Sequence, residues 1–361
     1  MMNRELLELY SDYLLSAFSH TTATGLSAMT AGAVSHDRIT RFLAHEEMDS
    51  RALWSLVKPL VRQVEGDEGV LVIDDTIEEK PYTDESELIC WHYDHSKGRS
   101  VKGINLISAL YQVGPQAGEV SVPVTFELVK KGEWVFDGKK EKWRRKSLKT
   151  KNEMYREMLS VCHNNRLKFR YVLSDVWYSA SENMNHIKRE LEKEFIMPLK
   201  SNRKVALCSE DKQRGLYERV ASLELESDTV CEVYLEQVGF PLLLAKRVFK
   251  NEDGSEGVLY LVTSDETLDH ERMSTIYQRR WKVEEYHKSL KSNASLAKSP
   301  TKTIRTQSNH VFASIWAFVK LERMKMTTKM NHFALRSRLC VKAVQAAFQE
   351  LQGLRLSQAR A

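Results

Sequence analysis

Residues 70–76, VLVIDDT, join an unbroken apolar run to two adjacent carboxylates, Asp74 and Asp75. A continuous apolar run of this length is typical of a central strand that is buried on both faces. A carboxylate at the end of such a strand is costly to bury unless a positive charge pairs with it. The segment therefore predicts a buried strand that ends at a polar site.

A second segment repeats this arrangement, because residues 171–175, YVLSD, also end in a carboxylate, Asp175. Magnesium takes oxygen ligands and is usually held by one or two carboxylates together with substrate phosphates. Two strands that each end in Asp are therefore consistent with a metal site. A strand-terminal Asp also serves as a turn or helix cap, and this is the role that we predict for Asp74.

Strand-like and helix-like segments alternate around these two strands. The order is typical of a mixed α/β sheet, followed by a β-rich insertion and then by helix. The strand patterns fall at 104–113, 119–129, 169–175 and 195–199, and the helical patterns fall at 147–166 and 181–194. The predicted domains are 1–68 (helical), 69–200 (first part of the catalytic core), 201–267 (β-rich insertion) and 268–361 (helical, completing the core).

The N-terminal domain is predicted from apolar residues that recur at helical spacing. Ser35 is the expected N-cap of one helix, and Pro59 predicts a kink or a break in another. Two functions are open for this domain, which are simple packing against the core and DNA binding.

Composition excludes several classes of protein. With 42% hydrophobic and 29% charged residues, the chain has the composition of a folded protein rather than a disordered one. No apolar run approaches the roughly 18 residues that a membrane span needs, and the N-terminus lacks a secretory cleavage site. We therefore expect a cytoplasmic protein without a membrane partner. The five cysteines include no C-x-x-C pair, which argues against a zinc module and a disulfide framework.

A helix predicted over about 271–292 carries four polar residues at steps of three, four and seven. At about 100° per residue these steps place all four within a sector of roughly 60°. An apolar stripe repeats on a separate face, which predicts that the helix packs by that side. A solvated face with i,i+4 ion pairs would give the same pattern. The four polar residues are Tyr277, Arg280, Glu284 and Lys291, and the apolar stripe is Ile276, Val283 and Leu290.

The spacing of these four residues resembles the Y-(2)-R-(3)-E-(6)-K signature of DDE transposases from bacterial insertion sequences, in the branch called insertion-sequence family four. The resemblance extends to two strands. In that family one apolar strand ends in Asp-Thr, as at Asp75 and Thr76, and a second strand ends in Asp, as at Asp175. A β-rich insertion also separates the second Asp from the Glu.

The resemblance implies an RNase H-like α/β fold and cut-and-paste DNA transposition, with strand cleavage at transposon ends and strand transfer into target DNA. The implied catalytic residues are Asp75, Asp175 and Glu284, which would hold two Mg²⁺ ions, for which Mn²⁺ can substitute. The side chains of Tyr277, Arg280 and Lys291 would contact phosphates near the transposon end. The implied partners are double-stranded DNA, both at the transposon ends and at the target, and a second copy of this chain in a dimeric synaptic complex. The implied location is the nucleoid.

A basic segment at residues 139–151 contains eight Lys or Arg residues, with Trp143 among them. Such a cluster attracts phosphates, and the indole could stack on a base or cover apolar surface. We predict that it contacts DNA, with a solvated charge run as the alternative. The residues predicted to bind DNA are Lys142, Arg144, Arg145 and Lys146.

Two further functions stay open at this level. A hydrolytic nuclease on the same fold would need the metal site but not the Tyr-Arg-Lys face. A DNA-binding repressor derived from a transposase would retain the fold without using the site. The presence of all three acidic residues makes the repressor the weaker alternative.

Overall fold

The computed structural model describes residues 2–114, 119–138, 141–226, 228–250 and 254–358, so Lys139 and Lys140 of the basic segment lie outside the described residues. The chain has a mixed α/β fold with a large mixed sheet and helices at both ends, which confirms the predicted class. None of the described helices is both long enough and apolar enough to cross a membrane.

The helices are α1 (Arg4–Ser16), α2 (Ala23–Met29), α3 (His36–His45), α4 (Ser50–Val64), α5 (Lys151–Asn164), α6 (Ser181–Asn185), α7 (Ser209–Arg214), α8 (His270–Gln278), α9 (Trp281–Ser292), α10 (Ile304–Thr328) and α11 (His332–Gln358). The strands are β1 (Val70–Glu79), β2 (Cys90–Asp94), β3 (Arg99–Val113), β4 (Val120–Leu128), β5 (Glu133–Asp137), β6 (Lys142–Lys146), β7 (Tyr171–Ser174), β8 (Glu194–Leu199), β9 (Lys204–Val205), β10 (Glu218–Arg219), β11 (Val230–Val233), β12 (Leu242–Lys250) and β13 (Glu256–Thr263).

The chain divides into two compact units. The first unit contains Met1–Ser55, Ile77–Ile104 and Glu285–Ala361, and the second contains Leu56–Thr76 and Asn105–Glu284. The domain boundaries at residues 68, 200 and 267 stay predictions.

The second unit is built on a mixed sheet with β7 between β1 and β8, to both of which it runs parallel. On one side β13 pairs antiparallel with β8, and β12 and β11 follow in antiparallel order. On the other side β1 neighbours β3, which pairs antiparallel with β4. Strands β11, β12 and β13 of the β-rich region after Lys200 therefore extend the same sheet, whereas β9 and β10 form a separate two-stranded sheet.

The centre of this sheet explains why polar residues collect at one end. The apolar half of β1 and the whole of β7 are buried, as expected for parallel strands covered on both faces. Their register runs from Val70 opposite Tyr171 to Ile73 opposite Ser174. The residue that follows this register is Asp74 in β1 and Asp175 after β7. The two carboxylates therefore lie at the same level.

The first unit is a helical assembly around α10. Tyr10 on α1 hydrogen-bonds through its hydroxyl to Nδ1 of His310 at 3.0 Å. The Nδ2 of Asn309 donates to the carbonyl oxygens of Leu43 and Glu46, both at 2.8 Å, and so satisfies groups at the end of α3. At the start of α3 the side chain of Ser35 accepts from the backbone N–H of Arg38, which confirms the predicted N-cap. In this unit β2 pairs antiparallel with the first half of β3.

Three helix predictions differ from the structure. Helix α4 runs through Pro59, so the predicted break is wrong, while the predicted kink stays a prediction. The helix predicted over 181–194 consists of α6 and a π-helical turn at His186–Glu190. The continuous helix predicted over about 271–292 is wrong, because α8 ends at Gln278 and α9 begins at Trp281.

The interruption between α8 and α9 has a visible cause. Nε2 of Gln112 donates to the carbonyl oxygen of Arg279 at 3.1 Å, and Nη2 of Arg279 donates in return to the carbonyl oxygen of Gln112 at 3.1 Å. The backbone tightens at the same point, since the N–H of Arg280 bonds to the carbonyl of Tyr277, three residues earlier. A buried side chain that captures a helix carbonyl is a recognised cause of such a break.

Candidate functional site

The Asp carboxylates predicted from the sequence lie in the second unit, on or directly after two adjacent parallel strands. The prediction that the first strand ends at Asp75 is wrong, because β1 continues to Glu79 and only its burial ends at Ile73. Asp74 and Asp75 follow the buried part of β1, and Asp175 directly follows β7. Successive side chains along a strand point to opposite faces of the sheet. Asp74 and Asp75 consequently have different surroundings.

Asp75 is held by three donors. Its Oδ2 accepts from Nζ of Lys151 at 2.6 Å and from Nδ2 of Asn105 at 3.0 Å, and its Oδ1 accepts from the hydroxyl of Tyr178 at 3.0 Å. Burial alone would raise the pKa of Asp75, but the charge of Lys151 and these hydrogen bonds outweigh it, and the pKa lies below its ordinary value. Asp75 is therefore an ionised, firmly positioned carboxylate.

Asp74 has a different environment. Its Oδ1 accepts from the backbone N–H of Asp75 at 2.8 Å, and its Oδ2 lies 3.9 Å from Nη1 of Arg280. Burial, together with the negative charges of Asp75 and Asp175, raises the pKa of Asp74 to about 7. The negative charge around Asp74 is thus only partly compensated by Arg280.

Arg280 connects this carboxylate to Glu284. Its Nη2 donates to Oε1 of Glu284 at 2.8 Å, and its guanidinium carbon lies 5.8 Å from the ring centroid of Tyr277. The Tyr277 side chain is buried, and its hydroxyl donates to the carbonyl oxygen of Ser174 at 3.4 Å, at the end of β7. Three of the four signature residues therefore lie around Asp74 of β1 and the end of β7.

Lys291, the fourth signature residue, belongs to the first unit. Its Nζ donates to the carbonyl oxygen of Ile77 at 2.8 Å, and burial lowers its pKa. The sequence predicts that the four residues lie on one continuous helix, and this prediction is wrong. Tyr277 lies on α8, Arg280 in the turn, and Glu284 and Lys291 on α9.

Among the residues that the structure describes, no three His, Cys, Asp or Glu side chains converge closely enough to hold a metal ion. Lys151 engages Asp75 and Arg280 engages Glu284 in ion pairs. The donor set nevertheless fits a divalent cation that prefers oxygen, since two carboxylates on β1 and one directly after the adjacent β7 supply oxygen atoms. Asp75, Asp175 and Glu284 are the residues that could hold it, with Asp74 beside them.

Sequence reasoning missed the partners of Asp75. Asn105 is a fully buried polar residue within the apolar run of β3, and that mismatch was an available signal. Lys151 is the first residue of α5, after the capping box formed by Thr150 and Glu153, but in the sequence it is one of many basic residues. Tyr178, three residues after Asp175, has no distinguishing sequence pattern.

The basic segment forms part of a two-stranded hairpin, β5 and β6. Trp134 pairs with Arg145 and Phe136 pairs with Trp143, so these four side chains share one face. Each of the three aromatic residues is about half exposed or more. The Arg145 guanidinium lies 4.5 Å from the Trp134 ring centroid. The opposite face of β6 carries Lys142, Arg144 and Lys146.

Comparison with known proteins adds two family matches. The profile of a family described as DDE superfamily endonuclease matches residues 2–219, which include Asp75 and Asp175. The profile of a family described as Transposase DDE domain matches residues 145–319, which include Asp175 and Glu284. A comparison with curated proteins found no match. The two families imply a DNA substrate and support a transposase-type function with nuclease or phosphoryl-transfer chemistry. Because the first match spans more than half of the chain, the protein belongs to the DDE superfamily of endonucleases.

Proposed function

We propose that the protein is a DNA transposase that cuts DNA at the ends of a mobile element and joins those ends to target DNA by a cut-and-paste route. The observation that carries the proposal is the parallel pairing of β1 with β7, which brings the adjacent carboxylates of β1 to the level of Asp175, directly after β7. The ion pair between Arg280 and Glu284 beside Asp74 supports it. The fold is proposed to be RNase H-like, and the protein is proposed to belong to the insertion-sequence family four branch.

Asp75, Asp175 and Glu284 are the proposed ligands of two Mg²⁺ ions, for which Mn²⁺ can substitute. When bound, two such ions would supply activation of the attacking oxygen and stabilisation of the leaving oxygen of a phosphodiester. The donors around Asp75 hold this carboxylate in the ionised form that a cation requires. Asn105 and Tyr178 thereby position this ligand, and the charge of Lys151 keeps it ionised.

Arg280 is proposed to bind the phosphate at the cut. Its guanidinium offers a planar fork of donors that matches a phosphate in a bidentate manner. In the structure one arm of this fork engages Glu284 and the other faces Asp74. If those carboxylates held a cation, the Arg280 guanidinium would be available to neutralise charge that develops on the phosphate oxygens. Tyr277 packs beneath the guanidinium, and Lys291 is proposed to contact a phosphate farther along the end.

Double-stranded DNA at the transposon end and at the target is the proposed partner, held in part by the β5–β6 hairpin. The positive residues Lys142, Arg144, Arg145 and Lys146 suit the phosphate backbone. A dimer is proposed for the synaptic complex, which has to hold two ends, and the nucleoid is the proposed location.

The test uses supercoiled plasmid that carries the DNA flanking the gene, with Mg²⁺ added. The wild type should nick or cut the plasmid and produce joined strand-transfer products. Asp75→Asn, Asp175→Asn and Glu284→Gln should each lose both activities and still bind the DNA. Glu271→Gln, an exposed residue of α8, is the matched control and should behave as wild type.

The same assay separates the alternatives. Cleavage without any joined product, under conditions where ends are abundant, would identify a hydrolytic nuclease. Binding of the flanking DNA with no metal-dependent cleavage by the wild type would identify a repressor. Full cleavage by any one of the three variants would remove that residue from the proposed metal site.

A further inference from the structure

A cavity of about 870 Å³ lies in the second unit, lined by α5 on one side and by α6 and the π-helical turn on the other. Its volume is within the range of pockets that bind small ligands, roughly 300–1,000 Å³. None of the residues proposed to cleave or bind DNA belongs to the described part of its wall. The cavity is therefore separate from the proposed metal site.

Three side chains in this wall form a chain of hydrogen bonds. Oγ of Ser160 lies 3.0 Å from Nε2 of His186, and Nδ1 of the same ring lies 2.7 Å from Oε2 of Glu190. Because a carboxylate only accepts, Nδ1 carries the proton of the neutral ring, and Nε2 is an acceptor that faces the serine hydroxyl. A nucleophile paired with a base, which a third group orients, is the arrangement of a serine hydrolase.

The backbone that carries His186 and Glu190 is also unusual. The N–H of Leu191 bonds to the carbonyl oxygen of His186 at 3.1 Å, five residues earlier, which defines the π-helical turn. Such turns are rare and occur frequently at functional sites. This second observation does not depend on the side-chain geometry.

Arg156 adds a positive group beside Ser160. It lies one turn earlier on the same face of α5, and its Nη1 donates to Oδ1 of the buried Asn183 at 2.8 Å, which restricts the guanidinium. The Ser160 hydroxyl donates to the Arg156 carbonyl oxygen at 2.9 Å, and by rotating it can donate to Nε2 of His186 instead. The guanidinium is suited to stabilise negative charge that develops on an oxygen next to Ser160.

The charge of the wall limits the class of substrate. Arg156 is the one Lys or Arg among the described residues of the wall, and Glu157 is paired with Lys149 outside it. An anionic molecule would be repelled by the remaining carboxylates, so the wall favours an uncharged or positively charged one. The carboxylates of the wall belong to Glu153, Glu157, Glu182 and Glu190.

We propose that this cavity hydrolyses a small carboxylic ester that is uncharged or positively charged. Oγ of Ser160 forms a bond to the acyl carbon while its proton passes to Nε2 of His186. The bond from that carbon to the leaving oxygen then breaks, and the proton passes from Nε2 to this oxygen. Water releases the acyl group from Ser160 as a carboxylic acid by the same route, and Ser160 regains its proton. The activity is independent of the proposed action on DNA.

The first experiment treats the full chain with a fluorescent fluorophosphonate, a probe that forms a covalent bond to an activated serine. A single equivalent should be incorporated at Ser160, located by mass spectrometry of the peptides. His186→Gln should lose the labelling, because the base that activates the hydroxyl is removed. Ser55→Ala is the matched control and should be labelled like the wild type, since Ser55 is an exposed serine of α4 that also donates to a helix carbonyl.

Hydrolysis of p-nitrophenyl acetate gives the rate. Ser160→Ala should reduce kcat/KM to the level of the unfolded chain, and His186→Gln should reduce it by about 10²-fold or more. Glu190→Gln should lower kcat and leave KM unchanged, since Glu190 acts through His186. His163→Gln, at an exposed position of α5, controls for hydrolysis by surface imidazoles and should retain the wild-type rate. The anionic ester mono-p-nitrophenyl succinate should be a poorer substrate than the acetate.

Absence of labelling of the wild type would overturn the proposal, and so would labelling at another serine, and neither result requires a variant that folds. Equal hydrolysis by the wild type and Ser160→Ala would overturn it as well. A preference for the succinate ester would overturn the assigned substrate class. A lower melting temperature of Ser160→Ala, without labelling or hydrolysis by the wild type, would show that Ser160 and His186 serve only to join α5 to the π-helical turn.

Discussion

Nζ of Lys151 lies 2.6 Å from Oδ2 of Asp75, with the lysine at the start of α5 and the carboxylate on β1. A positive charge at this distance repels a divalent cation that approaches the same carboxylate. After screening we take the repulsion as about 1–2 kcal/mol, which corresponds to roughly a tenfold change in binding. Lys151→Gln should therefore lower, by about that factor, the Mg²⁺ concentration at half-maximal cleavage when measured at pH 8.

Lys149→Gln is the control for this prediction, because Lys149 pairs with the exposed Glu157 and should leave the midpoint unchanged. A higher Mg²⁺ midpoint for Lys151→Gln would contradict the prediction. It would mean that Lys151 is needed to keep Asp75 in place rather than competing with the cation.

The second prediction concerns the adjacent carboxylates of β1. Asp75→Asn should reduce cleavage to background, because an amide is a poor ligand for a hard cation. Asp74→Asn should retain measurable cleavage, since we assign Asp74 to structure. Both rates are read on the same plasmid at saturating Mg²⁺. The reverse result would shift the metal ligand by one position, to the residue that lies nearer Arg280.

Arg280 provides the third prediction. Arg280→Ala should lower the cleavage rate by roughly 10²-fold at saturating DNA and metal, because it removes a donor aimed at developing charge. Arg272→Ala, at an exposed position of α8, is the matched control and should retain the wild-type rate. The assay is run on pre-cut and uncut ends to separate the first cut from later steps. A lower melting temperature with a normal rate would make Arg280 a structural ion-pair residue.

Lys291 is expected to behave differently in the same assay. Its Nζ is bonded to a backbone carbonyl, so Lys291→Met should lower the melting temperature as well as the rate. Lys288→Met, at an exposed position of the same helix, should change neither quantity. A rate defect in Lys291→Met without any loss of stability would show that the lysine acts on DNA alone.

The fourth prediction concerns the β5–β6 hairpin. Replacing Lys142, Arg144 and Lys146 with Gln should flatten the slope of log affinity against log salt by about 0.9 for each phosphate that these cations neutralise in the wild type. Lys58→Gln, an exposed residue of α4, should not change the slope. Trp143→Ala should weaken binding without a change in slope, because stacking releases no counterions. An unchanged slope in the triple variant would make this face a solvated one.

His310 gives a prediction for stability against pH. Complete burial lowers the pKa of His310 from 6.5 to about 4, and the charge of Lys80 adds to this effect. Below pH 6.5 the unfolded chain takes up a proton that the folded chain excludes. The free energy of unfolding should therefore decrease as pH falls from 6.5 towards 4, with a slope of about 1.4 kcal/mol per pH unit for one proton.

His310→Gln should lack this component. The measurement compares urea unfolding of both proteins at several pH values, since carboxylates such as Asp265, whose pKa is lowered to about 2, affect both proteins equally. Identical pH dependence in the two proteins would show that His310 does not titrate as burial requires. Above pH 7 the difference between them should be constant.

The sequence predicted those parts of the fold that depend on local pattern. The apolar runs of β1 and β7 predicted buried strands, and Ser35 predicted a helix start, because both signals lie within a few residues. The break after α8 was not predictable in this way. It depends on Gln112, which is 167 positions from Arg279 in the chain.

The same limit applies to the site. Carboxylates that follow a buried apolar run can be recognised from the sequence, but the cation that pairs with Asp75 lies 76 positions away, in a segment rich in similar residues. The sequence does not predict β6 as a strand, because its five charged or aromatic residues do not show the alternation typical of a half-buried strand. Pairing across the hairpin, rather than local preference, reveals its aromatic face.

The division of the first unit into three pieces has a consequence during translation. Tyr10 and its partner His310 are separated by 300 positions, and α3 depends on Asn309 for hydrogen bonds at its end. On the ribosome α1 and α3 therefore emerge long before α10 exists, whereas β1, β7 and β8 can pair earlier. A messenger that is truncated before α10 would leave the apolar faces of α1 and α3 uncovered, and such products should be prone to aggregation and proteolysis.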